Sequence, residues 1–333
     1  MYNKNVKTIA LLSGGLDSTL AIKLIKDQGI DVIALNFTSP FCTCTSKNSG
    51  CSAAAKAAKE LGVPLRVISK GLEYFKIVES PKFGYGSNMN PCIDCRIYIF
   101  RKAKEVMVEE GASFLISGEV VGQRPMSQRR DTLRLIEKEA GVEDILLRPL
   151  SAKLLPPTLP ERMGWVDREK LLGISGRGRR VQISIAKSNN IDYPCPAGGC
   201  LLTDKFIANR VRDLFTYKKD YAIEDIKLLK IGRHIRISEH LKIIVARDEE
   251  ECVKLSNSFN PDKDVIIYCL EPKGSTALIK DFKGELPEIV LKIVYRYSDA
   301  KGDILKLKIE GVINKETSYD KPIDDYILKK MIL

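Results

Sequence analysis

The glycine pair in residues 12–18, Leu-Ser-Gly-Gly-Leu-Asp-Ser, constrains the fold of this chain more than any other feature. The segment follows an apolar run at residues 8–12, which predicts a buried strand, and precedes residues 19–25, which predict an amphipathic helix. Two adjacent glycines allow a sharp turn and a close approach of a ligand to the backbone. The unpaired N–H groups at a helix start favour an anion. The residues therefore predict a phosphate-binding loop between a strand and a helix.

This loop lacks the Gly-Lys-Ser/Thr ending of the Walker type. Ser13, Gly14, Gly15, Asp17 and Ser18 resemble the Ser-Gly-Gly-x-Asp-Ser loop of the PP-loop ATP-pyrophosphatase superfamily, which activates a carbonyl oxygen by adenylylation. The resemblance implies that these residues bind ATP, that Mg²⁺ bridges its phosphates, and that Asp17 positions the ion or the loop. The alternative is a glycine-rich turn in an ordinary α/β protein.

Strands and helices alternate along the N-terminal part of the chain. Strands are predicted at residues 31–37, 65–68 and 114–118, and helices at residues 52–61 and 97–110. This alternation predicts an α/β fold with a doubly wound parallel sheet, whose ligands lie beyond the carboxyl ends of the strands. The superfamily resemblance implies an adenine nucleotide alpha hydrolase-like sheet. It also implies that Asn36, Phe37 and Gly118, which stand at such strand ends, contact the nucleotide.

Three parts are predicted: a PP-loop domain at residues 1–150, a connector at residues 151–204, and a smaller α+β domain at residues 205–333. The connector begins with a proline-rich stretch, which favours a rigid link. It also carries a cysteine loop that would complete the active site. Outside the first part, helices are predicted at residues 167–172, 180–189, 205–215 and 223–229, and strands at residues 235–237, 242–245, 265–268 and 290–295.

The net charge of +11 indicates a polyanionic partner, because a basic surface raises the affinity for phosphate backbones. Arginine is concentrated between residues 123 and 180, and its planar guanidinium suits phosphate. The alternative is a solubilising surface without a nucleic-acid partner. The candidate RNA contacts are polar and basic side chains from two segments: Gln128, Arg129, Arg130, Arg177, Arg179 and Arg180.

Nine cysteines in an intracellular chain favour catalytic or metal-binding roles over disulfides. Cys92 and Cys95 stand three residues apart at the start of a predicted helix, where a thiol pKa is lowered. The same spacing suits two ligands of one metal. Cys195 and Cys200 lie in a Pro/Gly-rich loop that can bring a third sulfur close, an arrangement typical of Fe–S or zinc sites.

The cysteine segments also carry a family resemblance. Asn-Pro-Cys-x-x-Cys at residues 90–95 and Gly-Cys-Leu at residues 199–201 resemble the two cysteine segments of tRNA 2-thiouridylases. Related PP-loop thiolases hold a [4Fe–4S] cluster with three cysteines and leave the fourth iron open for sulfide. The resemblance implies that Cys92, Cys95 and Cys200 are the catalytic thiols and the cluster ligands.

Alternatives to that cluster stay open. Cys195 is the competing third ligand. A persulfide relay between Cys92 and Cys200 needs no metal, and a structural zinc site would use all four thiols. A second group, Cys42, Cys44 and Cys51, is predicted to be non-essential; it could instead receive sulfur or hold a second metal. Two further thiols are predicted to be core residues: Cys252 and Cys269.

Residues 230–251 resemble part of the RNA-binding module called NFACT-R. Together the resemblances imply an ATP-dependent tRNA sulfurtransferase that adenylylates a uridine carbonyl oxygen and replaces it with sulfur from sulfide or an external donor. A PP-loop enzyme that thiolates or amidates a small molecule is one alternative. An RNA-binding protein with a structural zinc site is another.

The sequence also bears on location and assembly. Residues 1–7 lack a signal-peptide core, and the chain has no apolar run long enough to span a bilayer. We therefore expect a cytoplasmic protein without a membrane partner. Whether it forms a homodimer stays open.

Overall fold

A computed structural model describes residues 6–42, 52–193 and 199–333. The chain divides into two compact units, Met1–Thr203 and Asp204–Leu333. Residues 151–203, which the sequence assigns to a connector, belong to the first unit. A further division of that unit at residue 150 stays a prediction.

The described part of the first unit contains a five-stranded sheet in the order β3-β2-β1-β4-β5, and its neighbouring strands are parallel. The strands are β1 (Lys7–Leu11), β2 (Asp31–Thr38), β3 (Leu65–Ser69), β4 (Phe114–Ile116) and β5 (Leu146–Leu147). The strand order reverses between β1 and β4, which makes the carboxyl ends of these two strands the topological switch point. The predicted doubly wound parallel sheet is confirmed.

Helices cover both faces of this sheet. Ile9 and Leu11 of β1 pack with Phe100 on one face, whereas Ala10 packs with Ile22 on the other, because successive side chains of a strand point to opposite sides. The helices are α1 (Leu16–Lys26), α2 (Ser52–Leu61), α3 (Leu72–Glu79), α4 (Cys92–Glu109), α5 (Arg130–Ala140), α6 (Leu159–Arg162) and α7 (Arg180–Ser188). The helix predicted at residues 167–172 is only a short 3₁₀ turn, Arg168–Lys170.

The second unit is an antiparallel sheet with helices. Its strand order is β11-β10-β8-β9-β7-β6. The strands are β6 (Arg233–Ser238), β7 (Leu241–Val245), β8 (Val265–Glu271), β9 (Ala277–Ile279), β10 (Leu305–Gly311) and β11 (Lys315–Tyr319). The helices are α8 (Lys205–Tyr217), α9 (Ile223–Leu228), α10 (Glu249–Asn257), α11 (Glu288–Arg296) and α12 (Asp325–Met331). The predicted α+β class of this region is confirmed.

One predicted strand of the second unit is wrong. Residues 290–295 lie in helix α11. Their β-branched composition favours a strand, but Val290, Ile293 and Val294 have helical spacing and are buried together in the core. Glu288 also places a negative charge in the first helical turn, where the helix dipole favours it. Tertiary burial of one helical face therefore overrides the local strand preference.

None of the helices in the described residues has the length and apolar character needed to cross a bilayer.

His234 of β6 is a buried titratable group in the second unit. Its side chain lies in the interior, and Nε2 is 3.1 Å from the carbonyl oxygen of Leu228 and 3.0 Å from that of Ile231. Burial, reinforced by Lys242 and Arg210, holds the pKa of His234 well below its ordinary value of 6.5. The folded protein therefore keeps this imidazole neutral where the unfolded chain protonates it.

The stability of the second unit should consequently fall as the pH drops below about 6.5, by up to about 1.4 kcal/mol per pH unit. The unfolded state alone takes up the proton there, so acidification favours unfolding. Hydrogen exchange of the peptides that cover β6 and β7, measured on the full chain at pH 7.5 and 5.5 and corrected for intrinsic rates, checks this. His234→Gln should weaken the pH dependence, whereas His240→Gln, at an exposed position, should retain it. An equal pH dependence in both variants would contradict the assignment.

Candidate active site

The predicted phosphate loop lies between β1 and α1 and is closed by its own serines. The backbone N–H of Ser13 donates to Oγ of Ser18 at 3.2 Å, and the two hydroxyl oxygens are 3.1 Å apart. The Ser18 hydroxyl also lies 3.0 Å from the carbonyl oxygen of Gly15, to which it donates. Gly15 is the N-cap of α1 and has no side chain with which to cap the helix. The loop is thus preformed at the carboxyl end of β1, with the helix start beside it.

Two glycines allow this loop to pack closely against neighbouring segments. Gly14 has φ +77°, and a Cβ there would lie 2.5 Å from backbone atoms of Ala53 and Ala54 in α2. A Cβ on Gly118 would lie 2.5 Å from the backbone nitrogen of Ser18. Close packing against the first turn of α1 therefore explains why residue 118 is glycine. Its contact with the nucleotide stays a prediction.

Asn36 joins the ends of two neighbouring strands at this edge. Its Nδ2 donates to the carbonyl oxygen of Leu12 at 2.7 Å, and the side chain is buried. Its Oδ1 has no hydrogen-bond partner among the described residues, so an acceptor is available beside the loop. Phe37, in contrast, packs against the hydrophobic cluster that contains α4. Asn36 therefore has a polar atom available for the predicted nucleotide contact, whereas Phe37 packs into the core.

Asp17 presents a carboxylate oxygen at the loop. Its Oδ2 accepts from Nε2 of Gln123 at 3.0 Å and lies 3.8 Å from Nη2 of Arg179. Its Oδ1 is buried and has no hydrogen-bond partner in the described part of the chain. A carboxylate oxygen of this kind fits a hard cation such as Mg²⁺. Arg179, predicted to contact RNA, thus lies at the phosphate loop, and Gln123 is a contact that the sequence pattern did not indicate.

Cys95 lies beside a buried cation. Its Sγ is 3.2 Å from Nζ of Lys70 and 3.5 Å from the hydroxyl of Tyr74. Lys70 Nζ also lies 4.2 Å from the centroid of the Tyr74 ring. Burial opposes ionisation of the thiol, but Lys70 and Tyr74 outweigh it and lower the pKa of Cys95. The surroundings of Cys95 therefore favour ionisation of its thiol relative to an ordinary cysteine.

Lys70 and Tyr74 were not identified from the sequence. The only available signal was position, because Lys70 directly follows β3 and so stands at the same carboxyl edge as the phosphate loop. Lysine is common on surfaces, and nothing in the local pattern shows that this one is buried.

Cys92, Cys95 and Cys200 lie close enough to influence one another electrostatically. Burial raises the pKa of Cys200 to about 11, and Cys95 and Cys92 add to the shift. Burial also raises the pKa of Cys92, again with a contribution from Cys95, so the lowering expected at a helix start is found for Cys95 but not for Cys92. The structure thus brings the three predicted thiols together.

A fourth thiol, Cys42, joins this group. Cys42 forms an antiparallel bridge with Cys200. Burial raises the pKa of Tyr74 well above its ordinary value, and the thiols of Cys95, Cys200 and Cys42 contribute. Cys42 therefore lies at the site, although the sequence assigned it no essential role. The remaining predicted thiols lie outside the described residues: Cys44, Cys51 and Cys195.

The described thiols do not converge on a single ion. Within residues 6–42, 52–193 and 199–333, no three Cys, His, Asp or Glu side chains are arranged to hold one metal ion. Mononuclear zinc needs its thiolates about 2.3 Å from a common point. The zinc alternative also uses Cys195, which lies outside the described residues, so the cluster, the relay and the zinc site all stay predictions.

Arg124 provides an electrostatic connection between the thiols and the phosphate loop. Partial desolvation, Arg96 and Arg179 lower the pKa of Arg124, whereas Cys92 and Asp17 raise it. Arg124 is therefore within electrostatic range of both a thiol of α4 and the loop carboxylate.

A second connection runs through Glu119. Arg96, one turn after Cys92, lies with its Nε 3.5 Å from Oε1 of Glu119. Arg148 holds the other carboxylate oxygen at 3.0 Å. Glu119 directly follows Gly118, which packs on Ser18. The two halves of the candidate site thus share one sheet edge.

The predicted RNA contacts have different environments. The Gln128 side chain is only 4% exposed, and the backbone carbonyl oxygen of this residue accepts from the N–H of Gly122 at 2.7 Å in a turn. Four of the arginines are exposed near the starts of α5 and α7: Arg129, Arg130, Arg177 and Arg180. These four are available to a phosphate backbone, whereas burial disfavours the predicted contact by Gln128.

Two known protein families match parts of this chain. Residues 4–153 match the family described as "Thiamine biosynthesis protein (ThiI)", and residues 232–324 match "NFACT protein RNA binding domain". A tRNA-specific 2-thiouridylase MnmA from Clostridium acetobutylicum is 30% identical over 301 residues, which cover 77% of this chain and 81% of that protein. The chain belongs to the tRNA thiouridylase family. The resemblances drawn from its motifs are confirmed.

The share of each relative's own length that this chain matches differs among the thiouridylase relatives. Other curated relatives, named tRNA sulfurtransferase or 2-thiouridylase, match this chain over 29% to 41% of their own length. The chain thus spans less than half the length of these relatives.

Two solved structures that match parts of this chain are those of a 4-thiouridine synthetase and a tRNA thiolase. A 4-thiouridine synthetase–RNA complex with bound ATP has 22% identity and a TM-score of 0.39, with 68% of this chain and 51% of that chain covered. The U34-tRNA thiolase NcsA from Methanococcus maripaludis with its [4Fe–4S] cluster has 18% identity and a TM-score of 0.33, with coverages of 69% and 73%. Because both scores are below 0.5, the fold assignment rests on the strand order and the family match.

Proposed function

We propose that this chain is an ATP-dependent tRNA sulfurtransferase, which adenylylates a uridine carbonyl oxygen and replaces that oxygen with sulfur. The observation that carries the proposal is that Glu119, next to the Gly118 that packs on Ser18, lies 3.5 Å from Arg96 in the helix that Cys92 begins. A nucleotide activated at the phosphate loop would therefore stand next to a sulfur-bearing site.

The first half of the reaction uses the phosphate loop. ATP would bind at the start of α1, with Mg²⁺ at the buried Oδ1 of Asp17. The uridine carbonyl oxygen attacks the α-phosphorus, the bond to the β-phosphate oxygen breaks, and pyrophosphate leaves. The loop and its basic neighbours Arg124 and Arg179 would stabilise the charge that develops on the phosphates.

The second half uses the thiols. Cys92, Cys95 and Cys200 would hold a [4Fe–4S] cluster, which when bound supplies an open iron position for sulfide. Lys70 and Tyr74 donate to the Cys95 sulfur and stabilise negative charge there. The sulfur nucleophile, from sulfide or an external donor, attacks the activated uridine carbon, and AMP leaves with the former carbonyl oxygen. Alignment of the two reacting groups is the main contribution of the protein.

The RNA partner is supported by three features. The chain has a net charge of +11, its C-terminal region matches an RNA-binding domain, and the Arg129 and Arg130 side chains are exposed beside the site. A small-molecule substrate would need none of these features.

Nucleoside analysis of tRNA from cells that lack this chain tests the proposal. Loss of one thionucleoside is expected, and its identity reports which uridine and which carbonyl are modified. The purified chain should also release AMP from ATP much faster with bulk tRNA than without it. An unchanged nucleoside profile, together with AMP release that ignores tRNA, would overturn the proposal in favour of a small-molecule enzyme.

A further inference from the structure

Cys42 and Cys200 face each other across a short antiparallel bridge. The N–H of Leu201 donates to the carbonyl oxygen of Phe41 at 2.9 Å. This bond joins the residue after Cys200 to the residue before Cys42, which makes the two cysteines a non-hydrogen-bonded pair. Side chains in such pairs are closer than in hydrogen-bonded pairs.

That geometry suits a covalent link. Cα atoms in non-hydrogen-bonded antiparallel pairs are about 4.5 Å apart. Disulfides accept Cα separations of about 4.4–6.8 Å, so the backbone need not move far to join these two sulfurs. Both residues are partly exposed, which leaves them accessible to a small oxidant.

We propose that Cys42 and Cys200 are a redox-active pair that forms a reversible cross-strand disulfide and thereby withdraws Cys200 from the sulfur site. The link itself follows from the bridge geometry, whereas its consequence for thiolation rests on the proposed function. Cys200 cannot serve as a ligand or as a sulfur carrier while its Sγ is bonded to that of Cys42.

The chemistry needs a low-molecular-weight disulfide as the oxidant. The Cys42 thiolate attacks one sulfur of that disulfide, forms a mixed disulfide and releases one small thiolate. The Cys200 sulfur then attacks Sγ of Cys42 and displaces the second small thiol. The two protein thiols lose two electrons in total, and the two released thiols carry them with the two protons. A dithiol reductant reverses both steps.

The test is a disulfide map of the full chain. Trypsin leaves Cys42 in the peptide of residues 27–47 with Cys44, and Cys200 in the peptide of residues 188–205 with Cys195. A Cys44→Ser/Cys195→Ser background therefore leaves one thiol in each peptide. This iron-free protein is equilibrated in glutathione buffers of increasing oxidation, trapped with N-ethylmaleimide, digested and analysed without reduction.

We expect peptides 27–47 and 188–205 to be linked to each other in oxidising buffer and separate after dithiothreitol. Adding Cys42→Ser should abolish the link and leave Cys200 alkylated. The proposal is overturned if Cys200 stays alkylated in the most oxidising buffer, or if it links to Cys92 instead. No ATP or tRNA enters this experiment, so its outcome is independent of the proposed function.

A second arm tests the consequence. Cys42→Ser should load iron without prior dithiol treatment, whereas the oxidised wild-type chain should load iron only after it. Equal iron loading by both oxidised proteins would overturn the withdrawal of Cys200. If the disulfide forms but reduced, iron-loaded protein never thiolates tRNA, the proposed function fails and the redox pair stands.

Discussion

Cys92→Ala should abolish sulfur insertion into tRNA while ATP binding and tRNA-dependent pyrophosphate release persist. Cys92 begins α4 and shares its first turn with Cys95. Its loss removes one of the three sulfurs proposed to act in sulfur insertion. The phosphate loop is built from other residues, so the adenylylation half-reaction should remain. Thionucleoside yield, pyrophosphate release and the dissociation constant for ATP, measured on the same preparation, separate the two halves.

The matched control is Cys252→Ala. Cys252 lies in α10 of the second unit, where its sulfur accepts from the N–H of Thr276 at 3.4 Å. This variant should keep sulfur insertion at the level of the unmodified chain. Full thiolation by Cys92→Ala, or equal losses in both variants, would refute the role assigned to Cys92.

Gly118→Ala is expected to weaken ATP binding sharply and to lower ATP-dependent turnover by roughly 100-fold, because small displacements of reacting groups have effects of that size. A Cβ at this position would lie 2.5 Å from the Ser18 nitrogen and 2.6 Å from the carbonyl carbon of Asp17. Either β4 or the first turn of α1 must move, and overpacking of this kind costs about 1–3 kcal/mol of stability. Titration of ATP into the folded variant and its denaturant midpoint give the two effects.

Gly71→Ala provides a comparison with the same change in composition. Gly71 is the N-cap of α3 with φ −82°, and a Cβ there meets no atom within 4 Å. Its ATP affinity and turnover should stay close to those of the unmodified chain. Gly118→Ala protein that binds ATP normally would show that the close contact with α1 is dispensable.

The first unit could be predicted from the sequence because its signals are local. Residues 12–18 specify the loop, and the alternation of apolar runs with helical patterns specifies a parallel sheet. The helix predicted at residues 97–110 is also present, although it begins earlier, at Cys92. Each of these inferences depends on residues that are adjacent in the chain.

The contacts that build the site could not be predicted in the same way. Lys70 reaches Cys95 across 25 positions of the chain, and Gln123 reaches Asp17 across 106. The pairing of Cys42 with Cys200 is longer still. Such contacts depend on how strands are ordered, which local patterns do not encode. The strand wrongly predicted at residues 290–295 has the same origin, because burial of one helical face decided its structure.

The pairing of β1 with β4 has a consequence for the order in which function is acquired. Thr8 Oγ1 donates to the carbonyl oxygen of Phe114 at 2.8 Å, so the first strand completes its pairing only with a segment made 106 residues later. During synthesis the ribosome must therefore release at least the first 118 residues before Gly118, which follows β4, can pack against Ser18 of the loop. A chain interrupted earlier would carry the glycine loop and the first helix but would lack the Gly118 segment that packs against them.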